Sequence, residues 1–489
     1  MLRLSRGVVA ALLVAIAAAP STRADDTLDR VRTRGTLRWG GDLQGGEPYV
    51  FQDPNDSSRL VGFEVEIAAA LARRLAVRAE FVQNDWNTLI PSLERGDFDV
   101  AMNGIEVTDA RRGRVAFTRP YYAFSETLVA RRDETTVARL NDLRRRRVGT
   151  LGGSLAFDLL RATPDIDIVV YEGVEEPYID LERGRVDAVV LDNIIADRYG
   201  VPRPALRAVG TVGTGTYAIA LRPDDTDLLH AVDAALADLI ASGELRAILT
   251  RWSLWTEEQV ALQATQPTSP ARTATALLTL PQVALFLRAT ANTVVISALA
   301  MALAVCGGLV LSTARRYGAA PLRATAAAYV ELFRGTPVLL QLYVLYYGLA
   351  PVLTLNAFTA AVVGLGMNYA AYEAELYRAG LQAVPVGQTE AALSLGMSRG
   401  LTLRRIVLPQ ALRVALPGIA NDFIALLKDS SLVSVITVVE LTKQMTITAV
   451  DVRSWLAPGI LCALLYLVLS FPLSRVARRL EQRLVSVPA

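Results

Sequence analysis

Residues 390–409 read Glu-Ala-Ala-Leu-Ser-Leu-Gly-Met-Ser-Arg-Gly-Leu-Thr-Leu-Arg-Arg-Ile-Val-Leu-Pro, and the spacing within this run is informative. Glu390, Ala391 and Ala392 open it, Gly396 follows after three residues, and Ile406, Val407, Leu408 and Pro409 close it after nine more. Small side chains at Ala391 and Ala392 let two backbones come close, and Gly396 permits a sharp turn into a second helix. The run therefore predicts an exposed helix-turn-helix shaped to enter a cleft on another protein. Its alternative is an amphipathic helix on a lipid surface, which Arg399, Arg404 and Arg405 also support.

Outward from this run the chain is strongly apolar. Charged residues make up 20% of the whole, yet the hundred residues 273–372 hold six: Arg288, Arg315, Arg316, Arg323, Glu331 and Arg334. A soluble half and a lipid-facing half are being averaged. Ala289–Ala314 is 26 residues without a charge, and Gly335–Tyr372 is another 38 with Pro351 near its middle, which predicts two helices joined by a tight turn. Val414–Leu427 with Ser430–Val439 gives a fourth crossing and Leu456–Ser474 a fifth. With the N-terminal side outside, segments 313–325, 378–413 and 475–489 fall inside and carry three, five and four arginines, whereas 350–356 and 440–455 carry Lys443 and Arg453. That bias obeys the positive-inside rule. Glu373, Glu375, Asp422, Lys428 and Asp429 lie in or at the ends of spans, where they either line a pathway or pair at helix ends.

The N-terminal side has a different grammar. Residues 1–24 carry Arg3 and Arg6, a 13-residue apolar core from Gly7 to Ala19, and Ala24 before Asp25, the form of a secretory signal; an uncleaved anchor helix is the alternative. From 25 to 262 short β-rich runs (Thr36–Gly40, Ala79–Val82, Val100–Asn103) alternate with helical ones (Glu64–Leu75, Thr88–Arg95), and a second such unit starts at Val148 and runs through Asp187–Leu191. The expectation is two α/β lobes with a ligand between them at the strands' carboxyl ends. Residues 263–280, with the Thr-, Pro- and Ala-rich stretch Gln263–Thr275, read as a linker, and 281–489 as the membrane domain with a cytosolic loop at 380–413.

Several classes are excluded. A net charge of +2 offers no basic surface for nucleic acid, and the two cysteines, Cys306 and Cys462, lie in apolar stretches and form no disulfide framework. Lys428 and Lys443 are the only lysines and neither follows a glycine-rich run, so the chain has no phosphate loop and any ATP is bound by a partner polypeptide. No metal or other cofactor is expected.

The spacing of Glu390, Ala391, Ala392, Gly396, Ile406, Leu408 and Pro409 resembles the EAA signature of ABC import permeases. The runs Tyr329–Pro337, Leu408–Arg413 and Lys428–Ser434 resemble the polar amino-acid permeases of the histidine, glutamine and arginine type. The resemblance implies an all-α, five-helix transmembrane permease in the inner membrane. It pairs with a second permease copy, identical or not, and binds two ATPase subunits through the coupling loop.

Residues 33–256 resemble the periplasmic solute-binding proteins that serve those permeases, which implies a fused receptor for a polar amino acid in the periplasm. By that resemblance the run Asn103-Gly104-Ile105-Glu106-Val107-Thr108-Asp109-Ala110-Arg111 supplies Arg111 as the clamp on the ligand's α-carboxylate, with a solvated surface arginine as the alternative. Gly152-Gly153-Ser154 stands where backbone N–H groups meet the same carboxylate, and Asp192 where an aspartate takes the α-ammonium. Tyr49 and Trp86 are an aromatic wall or ordinary core, and Asp42 reaches the ligand's distal group or caps a turn. Glu106 departs from the family's Ser or Thr, and with Asp42 and Glu47 it favours a cationic amino acid. A periplasmic enzyme on the same fold, dehydratase-like with Glu106 as acid or base, or a sensor, is the competing reading. The single histidine, His230, falls in a surface helix and suggests no second catalytic constellation.

Overall fold

The computed structural model describes residues 27–262, 278–452 and 454–485. The signal segment 1–24 and most of the linker lie outside the described residues. The chain begins with α1 (Thr27–Arg34), β1 (Thr36–Gly41), β2 (Phe51–Asp53), β3 (Asp56–Val61), α2 (Phe63–Arg74), β4 (Arg78–Gln83), α3 (Leu89–Arg95) and β5 (Val100–Ala101). A 16-residue strand, β6 (Ala116–Arg131), leads to β7 (Arg147–Leu151), α4 (Leu155–Ala162), β8 (Asp167–Tyr171), α5 (Glu176–Glu182) and β9 (Ala188–Asp192). A second 16-residue strand, β10 (Leu206–Leu221), leads to α6 (Thr226–Ala241) and α7 (Glu244–Arg251). The described residues divide into two units: 27–124 with 214–262, and 125–213 with the helical half.

The first unit is a lobe whose strands run β4-β1-β5-β10. The first three are parallel, with Trp39 beside Val100 and Thr36 beside Arg78, and β10 closes antiparallel with Ala220 beside Ala101. Leu89, Leu93, Phe98, Ile105 and Phe117 fill the core under α3. Gly40 is required there, because a Cβ would stand 2.4 Å from the Phe98 ring. Sequence alternation locates β1, α2, β4 and α3 to within a residue or two. It does not reveal that this lobe is discontinuous: the chain leaves it along β6 and returns along β10. That pairing joins residues about 120 apart, and no local pattern encodes it.

The second unit contains the other lobe, strand order β6-β9-β7-β8, with β6 antiparallel to β9 and the rest parallel. Leu128, Val148, Leu160 and Val190 are its core. The same unit holds the helices α8 (Leu280–Tyr317), α9 (Ala320–Gly335), α10 (Val338–Tyr343), α11 (Ala357–Ala383), α12 (Val386–Ser394), α13 (Leu408–Asp429), α14 (Leu441–Asp451) and α15 (Leu456–Val485). Leu280–Tyr317, 38 residues, and Leu456–Arg479 are long and apolar enough to cross a bilayer. The α8 helix overruns the apolar stretch at both ends, because Arg288 and Arg315 cost little once the helix emerges from an apolar layer about 30 Å thick. The α10 helix runs into a wider turn at 344–348, and Pro351 sits in the turn before α11, as its position predicts. The α8 and α11 helices pack closely along small residues: a Cβ on Gly308 would lie 2.5 Å from the Glu373 Cβ.

Candidate ligand-binding site and coupling hairpin

In the first lobe the carboxyl ends of β1, β4 and β5 deliver three segments to one place. Asp42 follows β1 and is buried; its carboxylate accepts from the backbone N–H of Gln44 at 2.9 Å, the N–H of Trp86 at 2.8 Å and Gln83 Nε2 at 3.1 Å. It thus caps a turn and fixes Trp86. Asn103, after β5, accepts from the Asp42 N–H at 2.8 Å, and its carbonyl accepts the Trp86 indole N–H at 3.1 Å. Gly104 is at φ +59°, a left-handed backbone that glycine adopts at low cost, and its N–H donates to Glu64 Oε1 at 2.7 Å. The Arg111 guanidinium lies 4.7 Å above the Trp86 ring, donates to the Glu106 carbonyl at 3.1 Å and stands 3.5 Å from Glu106 Oε2. Five of the sequence-named residues, Asp42, Trp86, Asn103, Glu106 and Arg111, therefore form one connected cluster.

Tyr49 belongs to a buried aromatic group instead. Its hydroxyl is 3.0 Å from that of Tyr217, and its ring packs on Phe63 and against the Gly104 backbone. Sequence reading missed Glu64 and Tyr217, which support this cluster from behind. Burial pushes the Glu64 carboxyl up to about 7 against the hydrogen bonds from Tyr121 and Gly104. An acidic residue on the apolar, buried face of the helix, beside Phe63, Ile67 and Ala68, was the available signal.

In the second lobe Gly153, at φ +72°, turns the chain after β7 so that Ser154 caps α4. Its Oγ donates to the Leu151 carbonyl at 2.8 Å and accepts from the Phe157 N–H at 3.1 Å. Asp192 ends β9, is buried, and accepts from the Ile195 N–H at 2.9 Å. Its register partner on β6 is Glu126, also buried, a residue the sequence reading did not single out. A lone carboxylate inside the apolar strand 116–131 was the signal. Two carboxylates on facing strand positions make this spot receptive to a cation.

The run 390–409 forms the expected hairpin. The α12 helix carries Glu390, Ala391 and Ala392, Gly396 turns the chain at φ +81°, and a helical turn at Arg399–Thr402 leads through Ile406 to Leu408 and Pro409 at the start of α13. Ala392 is buried, whereas Glu390 and Ala391 are exposed and Leu395 is 83% exposed. Leu381, Val384, Val407 and Ala411 anchor the base. Among the charges read in or beside the spans, Glu375 is paired with Arg315 and Arg378, and Asp429 accepts the Tyr369 hydroxyl at 2.7 Å. Asp422 and Asp429 also line a cavity with Arg334, Thr336, Asn368 and Tyr369.

Comparison with known proteins places both halves. Residues 38–254 match the bacterial extracellular solute-binding proteins, family 3, and residues 304–486 match the binding-protein-dependent transport system inner membrane component. The chain is 33% identical over 251 residues to the L-cystine-binding protein TcyJ of Escherichia coli K12, covering half of this chain (50%) and 93% of that protein. It is 38% identical over 193 residues to the probable amino-acid permease protein YxeN of Bacillus subtilis 168, covering 39% of this chain and 86% of that one. The chain belongs to both families.

It carries the binding and permease domains of an amino-acid ABC importer in one polypeptide. Among solved structures it is similar to an arginine-binding protein of T. maritima (32% identity, TM-score 0.43, 46% of this chain and 98% of that one). Both families of the importer are transport families, and nothing in the comparisons favours the enzyme reading. The permease relatives are inner-membrane proteins, in keeping with the apolar helices α8 and α15.

Proposed function

We propose that this importer captures a polar amino acid with its receptor lobes on the periplasmic side and passes it inward through a permease dimer, driven by ATP hydrolysed in two separate subunits. Arg111 takes the α-carboxylate, the turn before Ser154 offers it N–H groups, and Asp192 takes the α-ammonium. The Trp86 ring is the wall, with Tyr49, Asn103, Gly104 and Asp42 holding that wall and the Glu106–Arg111 segment in shape. Glu390, Ala391, Ala392, Gly396, Ile406, Leu408 and Pro409 form the hairpin that meets the ATPase.

The observation that carries the ligand assignment is the Arg111 guanidinium held over the Trp86 ring at 4.7 Å. A guanidinium held in one plane is a two-pronged receptor for a carboxylate. A cationic ligand remains the preferred member of the class, but for a different reason than sequence suggests. Glu106 stands 3.5 Å from Arg111, so much of its charge is already answered, and Glu126 as the strand neighbour of Asp192 places a second carboxylate at the ammonium end instead.

Isothermal calorimetry on the full chain in nanodiscs, with arginine, lysine, histidine, glutamine, glutamate and cystine in turn, tests both levels. Binding of at least one amino acid is expected, with the basic ones ahead. Arg111→Ala weakens it at least about 30-fold, the scale of truncating a desolvated charged partner. Binding of none rejects the amino-acid reading, and glutamate or glutamine well ahead of arginine rejects the cationic preference.

A further inference from the structure

The second lobe and the helical half meet through a polar network that the ligand assignment does not use. Asp180 on α5 is 1% exposed. Its Oδ1 accepts from Arg185 Nη1 at 2.9 Å, and its Oδ2 accepts from two tyrosine hydroxyls, Tyr171 of the same lobe at 2.8 Å and Tyr346 of the helical half at 2.7 Å. Arg185 in turn donates from Nη2 to the Tyr346 carbonyl at 3.0 Å, and its guanidinium lies 3.9 Å over the Tyr346 ring. Hydroxyl, carbonyl and ring of one tyrosine are thus all engaged by one buried ion pair. At the rim Lys443 Nζ, nearly buried, donates to Glu172 Oε1 at 3.2 Å.

Two features make this more than a casual contact. Tyr346 lies in the 344–348 segment where the helix widens to a π turn, a distortion frequently found at functional positions. Second, Asp180 and Tyr178 stand two positions apart on α5, about 200° around the helix axis, so they face opposite ways. Tyr178 is fully buried and its hydroxyl is held well above its ordinary pKa by burial and by the carboxylates of Asp192 and Glu126. One short helix therefore turns a buried tyrosine into the second lobe on one side and makes the contact to the helical half on the other.

We propose that Asp180, Arg185 and Tyr346, with Glu172 and Lys443 at the rim, form a cis clasp. It seats the second lobe on the permease half of its own chain whether or not ligand is bound. The proposal rests on the chain being a fused receptor and permease. A desolvated ion pair whose hydrogen bonds are directional fixes register, because sliding the lobe would leave buried charge without its partners. None of the five residues belongs to the ligand set, so ligand neither competes for the clasp nor completes it. A tether adds effective concentration without choosing a seat, and the clasp makes that choice.

The test is chemical cross-linking of the full chain in nanodiscs. Glu172→Cys and Lys443→Cys are combined in one chain and treated with a bis-maleimide, with each single variant controlling for links to Cys306 or Cys462. The expected product migrates as a single chain on a denaturing gel, contains the joined 172 and 443 peptides, and forms equally with and without arginine or cystine added. Adding Arg185→Met or Tyr346→Phe is expected to lower its yield at least about tenfold, as truncating a desolvated charged partner does. A product joining two chains, a product that needs the amino acid, or a yield indifferent to both substitutions overturns the clasp. The link is read without transport or ligand affinity, so failure of the amino-acid assignment leaves this result interpretable, and the reverse holds.

Discussion

Glu64 illustrates how a residue outside the binding set governs it. Its carboxyl is fully buried, accepts the Gly104 N–H at 2.7 Å and the Tyr121 hydroxyl, and burial lifts it to about 7 from 4.5. The raised value means that the folded lobe prefers the protonated form. The stabilising contribution is complete below about 4.5, shrinks as pH rises toward about 7, and changes no further above that. The loss over that window is on the order of 3 kcal/mol. Glu64→Gln keeps an acceptor for Gly104 and removes the titration, so its denaturation midpoint is expected to lack the part of the pH slope between 4.5 and 7 that the wild type shows. Equal slopes in the two proteins, followed by tryptophan fluorescence across that range, would exclude this account. At this scale sequence was informative where chemistry and position agree: Asn103, Gly104, Glu106 and Arg111 fall in one run after β5, and the fold joins Asn103, Glu106 and Arg111 to Asp42 and Trp86 from the ends of β1 and β4. It was uninformative for Glu64 and Glu126, whose meaning comes from partners 40 or more positions away.

Among the elements, the helix–turn–helix at 390–409 was the most legible and α5 the least. The hairpin is built from contiguous residues, so spacing alone specifies helix, glycine turn and helix. What sequence leaves open is which face points outward. Leu395 is 83% exposed, Leu401 46% and Leu393 40%, an apolar tip that a solitary protein has reason to avoid and a partner cleft would cover. Leu395→Asp is expected to lower ligand-stimulated ATP hydrolysis in the reconstituted complex at least about tenfold, the effect of losing a central apolar anchor, while leaving amino-acid affinity unchanged. Unaltered hydrolysis would mean that the partner docks elsewhere. Two of the five expected crossings, Leu280–Tyr317 and Leu456–Arg479, are helices long and apolar enough to span a bilayer, whereas helix packing was not legible: Gly308 against Glu373 and Gly364 against Leu342 are fits between separate helices.

For the molecule as a whole, fusion changes how the receptor finds the permease. We propose that residues 263–275, about a dozen, tether the two at an effective concentration that reaches the millimolar range, so that even a weak clasp stays occupied. Inserting a protease site in that stretch and cutting it in proteoliposomes is expected to slow uptake several-fold at limiting substrate and little at saturation. Unchanged uptake after the receptor has been washed away would refute the tether's role. The α/β lobes, the long apolar helices and the helix–turn–helix at 390–409 were readable from one dimension, because alternation, apolar length and motif spacing are properties of neighbouring residues. Tertiary structure alone decided that the first lobe is completed by residues 214–262, that Glu126 stands beside Asp192, and that Asp180 reaches Tyr346 across 166 positions. Those depend on which distant surfaces exclude water together, and burial is settled only when the whole chain has folded.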